Sequence, residues 1–206
     1  MTARANVLVA GIGNVFLSDD GFGVAAVTRL REVAHRLPPG VEVVDVGIRG
    51  MHLAYRLLDG YHTLVLVDTA QRGNPPGSLY LLEHDLDRPT HPDCDRLDAH
   101  RMDPASVLAM LDQLADGNGL DRPVQRVLVV GCEPASLDEG LELSEPVAAA
   151  VDRAVPALID LCAELIDNDH EGNRDDDPVA VRSDPGGGGR LDHQLATRPT
   201  PLPRDP

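Results

Sequence analysis

Five short apolar runs, spread over the first 131 residues, constrain the fold of this chain more than any other feature. They occupy residues 6–11 (NVLVAG), 41–46 (VEVVDV), 63–68 (TLVLVD), 78–83 (SLYLLE) and 126–131 (RVLVVG). Runs of this length and composition predict β-strands. Four further segments predict helices, and these are residues 19–35, 50–58, 103–114 and 144–166. Apolar strands that alternate with helices predict a three-layer α/β/α sandwich, with helices on both faces of the sheet.

The connection between the third and fourth runs predicts that the sheet is mixed. Only residues 69–77 separate the two runs, and they include the turn sequence NPPG. A parallel crossover needs about a dozen residues or more. We therefore expect a mixed, mostly parallel five-stranded sheet, in which the fourth strand runs antiparallel to the third.

The composition changes near residue 167. Residues 167–206 contain an acidic run, a run of four glycines and a Pro-spaced end, with few large apolar side chains. Such a segment cannot bury enough apolar surface to offset the entropy lost on ordering. The sequence thus predicts one α/β domain over residues 1–166 and a disordered acidic, Gly/Pro-rich tail over residues 167–206.

Charge and composition exclude several classes of function. The chain has 18 basic and 34 acidic residues, a net charge of −16, which disfavours a nucleic-acid partner. No apolar run approaches the roughly 18 residues of a membrane-spanning helix, so no membrane role is expected. All the basic residues are Arg, which excludes chemistry that needs a lysine amine. The three cysteines form no CxxC pair, which is typical of a reducing cytoplasm.

Chain direction predicts that three polar side chains meet at one edge of the sheet. Asp20 follows the first strand, Asp68 ends the third, and His100 precedes the helix that leads into the fifth. All three positions belong to the carboxyl edge of the parallel strands, where ligands bind in open α/β sheets. Two carboxylates and one imidazole can hold a divalent transition metal or perform acid–base catalysis.

Simpler explanations exist for each of these residues. Asp19 and Asp20 can stabilise a helix N-terminus, where Ser18 can also serve as the cap. Asp68 can simply begin a loop. His100 competes with other histidines, which are His52, His62, His84 and His91. It is the convergence of Asp20, Asp68 and His100 that favours a functional site.

The sequence GIGN after the first strand is similar to a dinucleotide-binding loop, with Asp45 where a ribose-binding acid would stand. We reject this interpretation because Phe16 occupies the place of the third glycine. Asp19 and Asp20 would also repel a pyrophosphate. Gly11 and Gly13 are expected instead to form a tight turn with unusual φ.

Cys132, followed at once by Glu133, is interpreted as structural.

Four segments resemble the hydrogenase maturation proteases. They are GIGNVFLSDDGFGV (residues 11–24), LVLVDTA (residues 64–70), DAHRMDP (residues 98–104) and GCEPASLDEGLELSEPV (residues 131–147). The likeness runs in order over residues 6–166. It implies a twisted five-stranded sheet between helices, and a metal site formed by Asp20, Asp68 and His100. That family often has Glu where Asp20 stands, and commonly has Thr where Ile48 stands.

The resemblance also implies an activity. It implies a cytoplasmic, metal-dependent endopeptidase of the aspartic type that removes the C-terminal extension from the large-subunit precursor of a nickel-iron hydrogenase. Nickel would arrive in the precursor rather than as a resident cofactor, and Asp20, Asp68 and His100 would both recognise it and align the scissile bond. The expected partner is that precursor, and the protease is expected to be a monomer.

Two other functions remain open from the sequence. One is a nickel-binding accessory protein without peptidase activity. The other is a small-molecule-binding or nucleotide-binding α/β module. Binding of nickel by the free protein without cleavage distinguishes the first, and thermal stabilisation by a ligand without any response to nickel distinguishes the second.

Overall fold

The computed structural model describes residues 6–84 and 124–172. The described strands are β1 (Val7–Ile12), β2 (Val41–Gly47), β3 (Thr63–Thr69), β4 (Leu79–His84) and β5 (Arg126–Cys132). The helices are α1 (Phe22–Glu32), α2 (Gly50–Leu57) and α3 (Glu145–Gly172). Two short 3-10 turns, Ser18–Gly21 and Ala34–Arg36, flank α1. The helix predicted at residues 103–114 lies outside the described residues.

The five strands form one mixed sheet in the order β2-β1-β3-β5-β4. Strands β1, β2, β3 and β5 are parallel to one another, and β4 pairs antiparallel with β5. The predicted mixed sheet is therefore confirmed, as is the reversed direction of β4 relative to β3. Strand β4 is hydrogen-bonded to β5 rather than to β3, because β1 and β5 already occupy both edges of β3.

The two faces of the sheet carry separate apolar cores, because successive side chains of a strand point to opposite faces. In β1, Val7 and Val9 belong to one core, while Leu8, Ala10 and Ile12 belong to the other. The first core includes residues of α1 and α3, and the second includes residues of α2. Helices thus cover both faces, which confirms the three-layer α/β/α architecture.

The ends of two helices differ from the prediction. The helix expected from residue 19 begins at Phe22, because residues Ser18–Gly21 form a 3-10 turn in which Ser18 has φ 47°. Helix α3 continues to Gly172, so the predicted domain boundary at residue 166 lies before its end. Among the side chains that are described, up to residue 168, Leu165 and Ile166 are the final members of the core. The remainder of the predicted tail lies outside the described residues.

Within residues 6–84 and 124–172, no helix has both the length and the hydropathy needed to cross a membrane.

Candidate functional site

The carboxyl ends of the parallel strands β1, β3 and β5 supply the residues of the candidate site. The loop after β1 leads into the 3-10 turn Ser18–Gly21, which carries Asp20. Asp68 is the penultimate residue of β3, the strand next to β1 in the sheet. Because β1 and β3 are parallel neighbours, both residues lie at the same edge, as predicted from chain direction.

Thr69 connects the two acids. Its hydroxyl donates a hydrogen bond to Asp20 Oδ1 at 3.3 Å, and its backbone N–H donates to Asp68 Oδ1 at 2.7 Å. The second oxygen of Asp20, Oδ2, accepts a 2.7 Å hydrogen bond from the backbone N–H of Asn14. Asp68 is 7% exposed, whereas Asp20 is partly buried. Two carboxylates thus each accept a hydrogen bond from the same threonine.

Gly13 fixes the backbone of the turn that carries Asp20. It has φ +136°, and a Cβ atom there would lie 1.8 Å from the carbonyl oxygen of Asp20. Only glycine permits both this conformation and this approach. The expectation of an unusual φ is correct for Gly13 and wrong for Gly11, which lies within β1. At Gly11 a side chain is excluded because a Cβ would lie 2.4 Å from the carbonyl oxygen of Gly23 in α1.

His100, the third residue of the predicted site, lies outside the described residues. Among the residues that the structure does describe, no group of three or more His, Cys, Asp or Glu side chains is arranged to hold a metal ion. The described part of the site therefore consists of two carboxylates. Asp20 and Asp68 have the chemistry of metal ligands and of general bases.

Asp19 has a structural role other than the helix cap that offered a simpler explanation for it. Its side chain is fully buried and accepts hydrogen bonds from a second loop, residues 133–144, that follows β5. The donors are the backbone N–H groups of Ala135, Ser136 and Ser144, at 2.7 to 3.0 Å, and the Ser144 hydroxyl at 2.9 Å. Neither the 3-10 turn nor α1 has a side-chain cap. Asp19 therefore makes no capping hydrogen bond to either helix.

The hydrogen bonds to Asp19 outweigh the effect of its burial on its charge. Burial acts to raise the pKa of this carboxyl, but the donors from Ser144, Ser136 and Ala135 stabilise the ionised form and bring the pKa below its ordinary value. Asp19 is therefore a buried anion at neutral pH that joins two loops of the edge.

Glu133 performs a similar task in the neighbouring loop, a role that the sequence pattern did not predict. Its buried carboxylate accepts hydrogen bonds from the backbone N–H groups of Arg72 and Gly73, at 2.9 to 3.0 Å, and from the Tyr80 hydroxyl. Burial acts to raise the pKa of Glu133, but the bonds from Tyr80, Arg72 and Gly73 bring it below its ordinary value. Glu133 directly follows a buried strand, and the loop between β3 and β4 is rich in Gly and Pro. These two features together are the sequence signal that could have indicated this role.

Cys132 fits its interpretation as a structural residue. The thiol is fully buried in the core shared by α1 and α3. Burial raises its pKa to about 12, and the nearby Asp19 and Glu133 carboxylates act in the same direction, against the Arg153 guanidinium. A thiol with this pKa stays protonated and is a poor nucleophile.

Comparisons with known proteins agree with this fold. A family model described as hydrogenase maturation protease matches residues 24–161. The hydrogenase expression/formation protein HupM of Azotobacter chroococcum is 33% identical over 160 residues, covering 77% of this chain and 72% of that protein. The chain belongs to the hydrogenase maturation protease family. The resemblance inferred from the four sequence segments is thereby confirmed.

Solved structures of this family share the architecture. The hydrogenase maturating endopeptidase HybD from E. coli has a TM-score of 0.58 and 25% identity, covering 79% of this chain and 93% of that one. A hydrogenase 2 maturation peptidase from a thaumarchaeon has a TM-score of 0.54 and 31% identity, covering 77% of this chain and 97% of that one. As a member of the hydrogenase maturation protease family, the chain is a hydrolase of the protease class.

Proposed function

We propose that this maturation protease is an endopeptidase that removes the C-terminal extension from the nickel-loaded large-subunit precursor of a nickel-iron hydrogenase. The observation that carries the proposal is that Asp20 and Asp68, at the carboxyl edge of the sheet, both accept hydrogen bonds from Thr69. Family membership supports the substrate class. The expected setting is the cytoplasm, with the protease acting as a monomer on a protein substrate.

Nickel in this proposal is cargo of the substrate rather than a resident cofactor. Asp20, Asp68 and His100 together complete the coordination of a nickel ion that the precursor already contains. Hard carboxylate oxygens and an imidazole nitrogen suit a divalent first-row metal. Because the ligands belong to two different proteins, the scissile peptide is aligned only after nickel has been inserted, and cleavage reports on correct loading.

The carboxylates also supply the acid–base chemistry of peptide hydrolysis. Water attacks the scissile carbonyl carbon, the peptide C–N bond breaks, and the leaving nitrogen gains a proton. A carboxylate at the site edge can accept the proton of the attacking water and return it to the leaving amine. Asp20 and Asp68, held in fixed positions by Asn14 and Thr69, are the groups proposed for this transfer.

The proposal is tested with purified large-subunit precursor, prepared with and without nickel. Intact mass measurement of the released C-terminal fragment follows cleavage. We expect cleavage of the nickel-loaded form alone, and we expect Asp68→Ala and His100→Ala to abolish it without unfolding the protein. Asp59→Ala is the matched control, because Asp59 is an exposed acid before the amino end of β3 and should leave cleavage unchanged.

Other outcomes identify the alternative functions. Near-normal processing by Asp68→Ala or His100→Ala would overturn the site assignment. Tight nickel binding by the free protein without any cleavage would indicate a nickel-binding accessory protein. Thermal stabilisation by a nucleotide, without any response to nickel, would indicate a small-molecule-binding module.

A further inference from the structure

Two loops at the carboxyl edge present large apolar side chains to solvent. In the loop after β1, Phe16 is 67% exposed, and in the loop after β5, Leu141 is 74% exposed. Val15 and Leu137, which precede them in the same two loops, are exposed as well. We call these four residues the Phe16–Leu141 patch. Exposed apolar side chains that cluster in this way typically mark sites of protein–protein contact.

The two loops of the patch are joined by backbone hydrogen bonds. The N–H of Gly140 donates to the carbonyl oxygen of Phe16 at 3.0 Å, and the N–H of Ser18 donates to the carbonyl oxygen of Gly140 at 2.9 Å. A Cβ atom at Gly140 would lie 2.5 Å from Ser18 Oγ, so glycine permits this close approach. Phe16 and Leu141 therefore lie in segments that are hydrogen-bonded to each other.

Buried polar contacts hold the patch in a fixed shape. Asp19 binds both ends of the β5 loop through Ala135 and Ser144, as described above. Ser18 Oγ also donates to the carbonyl oxygen of Asp138 at 2.9 Å. A surface whose backbone is already ordered loses less conformational entropy when a partner binds. The exposed leucine and phenylalanine are thus prearranged for contact.

The two loops that form the patch carry charges of one sign. Residues 13–21 and 133–145 contain no Arg and no Lys, whereas Asp138, Glu139 and Glu142 are all exposed beside Leu137 and Leu141. A partner that covers this surface must bury apolar side chains and place basic groups opposite these acids. Asp20, in the same turn as Ser18, places the patch next to the proposed nickel site.

We propose that the Phe16–Leu141 patch docks the folded large-subunit precursor, through a precursor surface that carries apolar side chains flanked by Arg or Lys. This inference rests on the proposed function, because it takes the precursor as the partner. The patch contacts a folded surface of the precursor, while Asp20 and Asp68 face the nickel and the peptide to be cut. Docking and cleavage thus use adjacent but separate residues.

The test measures affinity separately from cleavage. Binding of the nickel-loaded precursor is followed by biolayer interferometry, with Asp68→Ala as the common background so that no cleavage occurs. We expect Phe16→Ser combined with Leu141→Ser to raise Kd by about 30-fold, the scale of two central apolar contacts. We expect Glu142→Lys to raise Kd by about five- to tenfold, and to weaken the dependence of Kd on salt.

Glu164→Lys is the matched control for charge. Glu164 is also exposed, but it lies 19 residues along α3 from Glu145, about 28 Å from the start of that helix. We expect no change in Kd for this variant. An equal loss of affinity in Glu164→Lys and Glu142→Lys would show that only the net charge of the protein affects binding. That result would overturn the assignment of docking to the acids beside the Phe16–Leu141 patch.

Each remaining outcome separates the docking proposal from the proposed function. If the wild-type protein cleaves the precursor and the Phe16/Leu141 variant retains full affinity, docking through the patch is refuted and the proposed function stands. If the wild-type protein binds but never cleaves, and the variant loses binding, docking stands and the proposed function fails. If the variant abolishes self-association of the protease and leaves precursor binding intact, the patch joins two copies of this chain, and the proposal is overturned.

Discussion

Asp19 and Asp20 are neighbours in one short turn, yet their surroundings differ sharply. Asp19 points into the protein, is fully buried and accepts four hydrogen bonds, all from the loop that follows β5. Asp20 is partly buried and accepts one backbone hydrogen bond from Asn14 and one long bond from the Thr69 hydroxyl. Adjacent acids in the same sequence motif thus belong to two different regions. We call Asp19 the buried anchor, and we call the partly exposed edge of the site that carries Asp20 the rim.

The difference indicates a division of labour between stability and chemistry. A buried anion whose oxygens are occupied by backbone donors is costly to alter, because each donor left unpaired in the interior is penalised. A carboxylate at the rim with few donors costs little to alter, and its oxygens can serve a substrate. The same contrast separates Glu133, which holds residues 72–73, from Asp20. Substitutions that exchange only charge therefore test the comparison directly.

The largest effect on stability is expected from Asp19→Asn. The amide group cannot accept hydrogen bonds at both oxygen positions, so at least one buried N–H loses its partner and the charge assistance of the others is lost. We expect the free energy of unfolding in urea to fall by about 3 kcal/mol. The rim counterpart, Asp20→Asn, should change it by less than about 1 kcal/mol, because the amide can still bond Asn14 and Thr69.

The two variants should reverse their order when processing is measured. Asp20→Asn should lose cleavage of the nickel-loaded precursor while remaining folded. Asp19→Asn, assayed well below its melting temperature, should retain measurable cleavage. Equal losses of stability in the two variants would contradict the distinction between anchor and rim.

A smaller loss is expected from Glu133→Gln. The Gln side chain places an NH2 group where one carboxylate oxygen accepts from Arg72, Gly73 or Tyr80, and it removes the charge from the remaining bonds. We expect a decrease of about 2 kcal/mol in the free energy of unfolding. Glu139→Gln, an exposed acid in the same loop, is the control and should be neutral within about 0.5 kcal/mol. A neutral result for Glu133→Gln would show that solvent replaces these bonds without cost.

The stabilisation by Glu133 should depend on pH. Because the folded-state pKa lies below the ordinary value of 4.5, the contribution is fully present above that value and is lost as the pH falls through the folded-state pKa. The difference in unfolding free energy between wild type and Glu133→Gln should therefore be constant from pH 7 to about pH 5 and narrow below about pH 4.5. If the difference in unfolding free energy between the two proteins stays constant down to acid-induced unfolding, Glu133 is not the ionised carboxylate described here.

The sequence predicted the elements whose signal is local and repetitive. Residues 63–68 predict a strand because the four consecutive side chains of residues 64–67 are apolar, and β3 is indeed buried over almost its whole length. The nine-residue link to β4 predicted a reversal for a geometric reason, the shortest length of a parallel crossover. The direction of the strands then placed Asp20 and Asp68 at one edge without any knowledge of their contacts.

The roles of Asp19 and Glu133 could not be predicted in the same way. Asp19 binds residues more than 110 positions away in the chain, and Glu133 binds residues about 60 positions away. Whether an acid at the start of a helix caps it or reaches another loop depends on where that loop lies, which local patterns do not specify. His100 remains a prediction from chain direction and family resemblance.

The smallest effect should come from the Thr69 hydroxyl, which donates a hydrogen bond to Asp20. Thr69→Val keeps the shape of the side chain and removes the 3.3 Å hydrogen bond to Asp20 Oδ1. A bond of this length is weak, so we expect the free energy of unfolding to change by less than about 1 kcal/mol. Processing of the nickel-loaded precursor should slow by a few fold, because Asp20 loses a contact that orients it.

Thr63→Val provides the matched comparison at the opposite end of β3. Thr63 is buried, and its hydroxyl lies 3.2 Å from the Nδ1 atom of His62, far along the strand from Asp20. We expect this variant to lose as much stability as Thr69→Val, or more, and to process the precursor at the wild-type rate. If both threonine variants slow processing equally, the loss of rate follows general stability rather than the orientation of Asp20. The hydrogen bond from the Thr69 hydroxyl would then have no part in positioning Asp20.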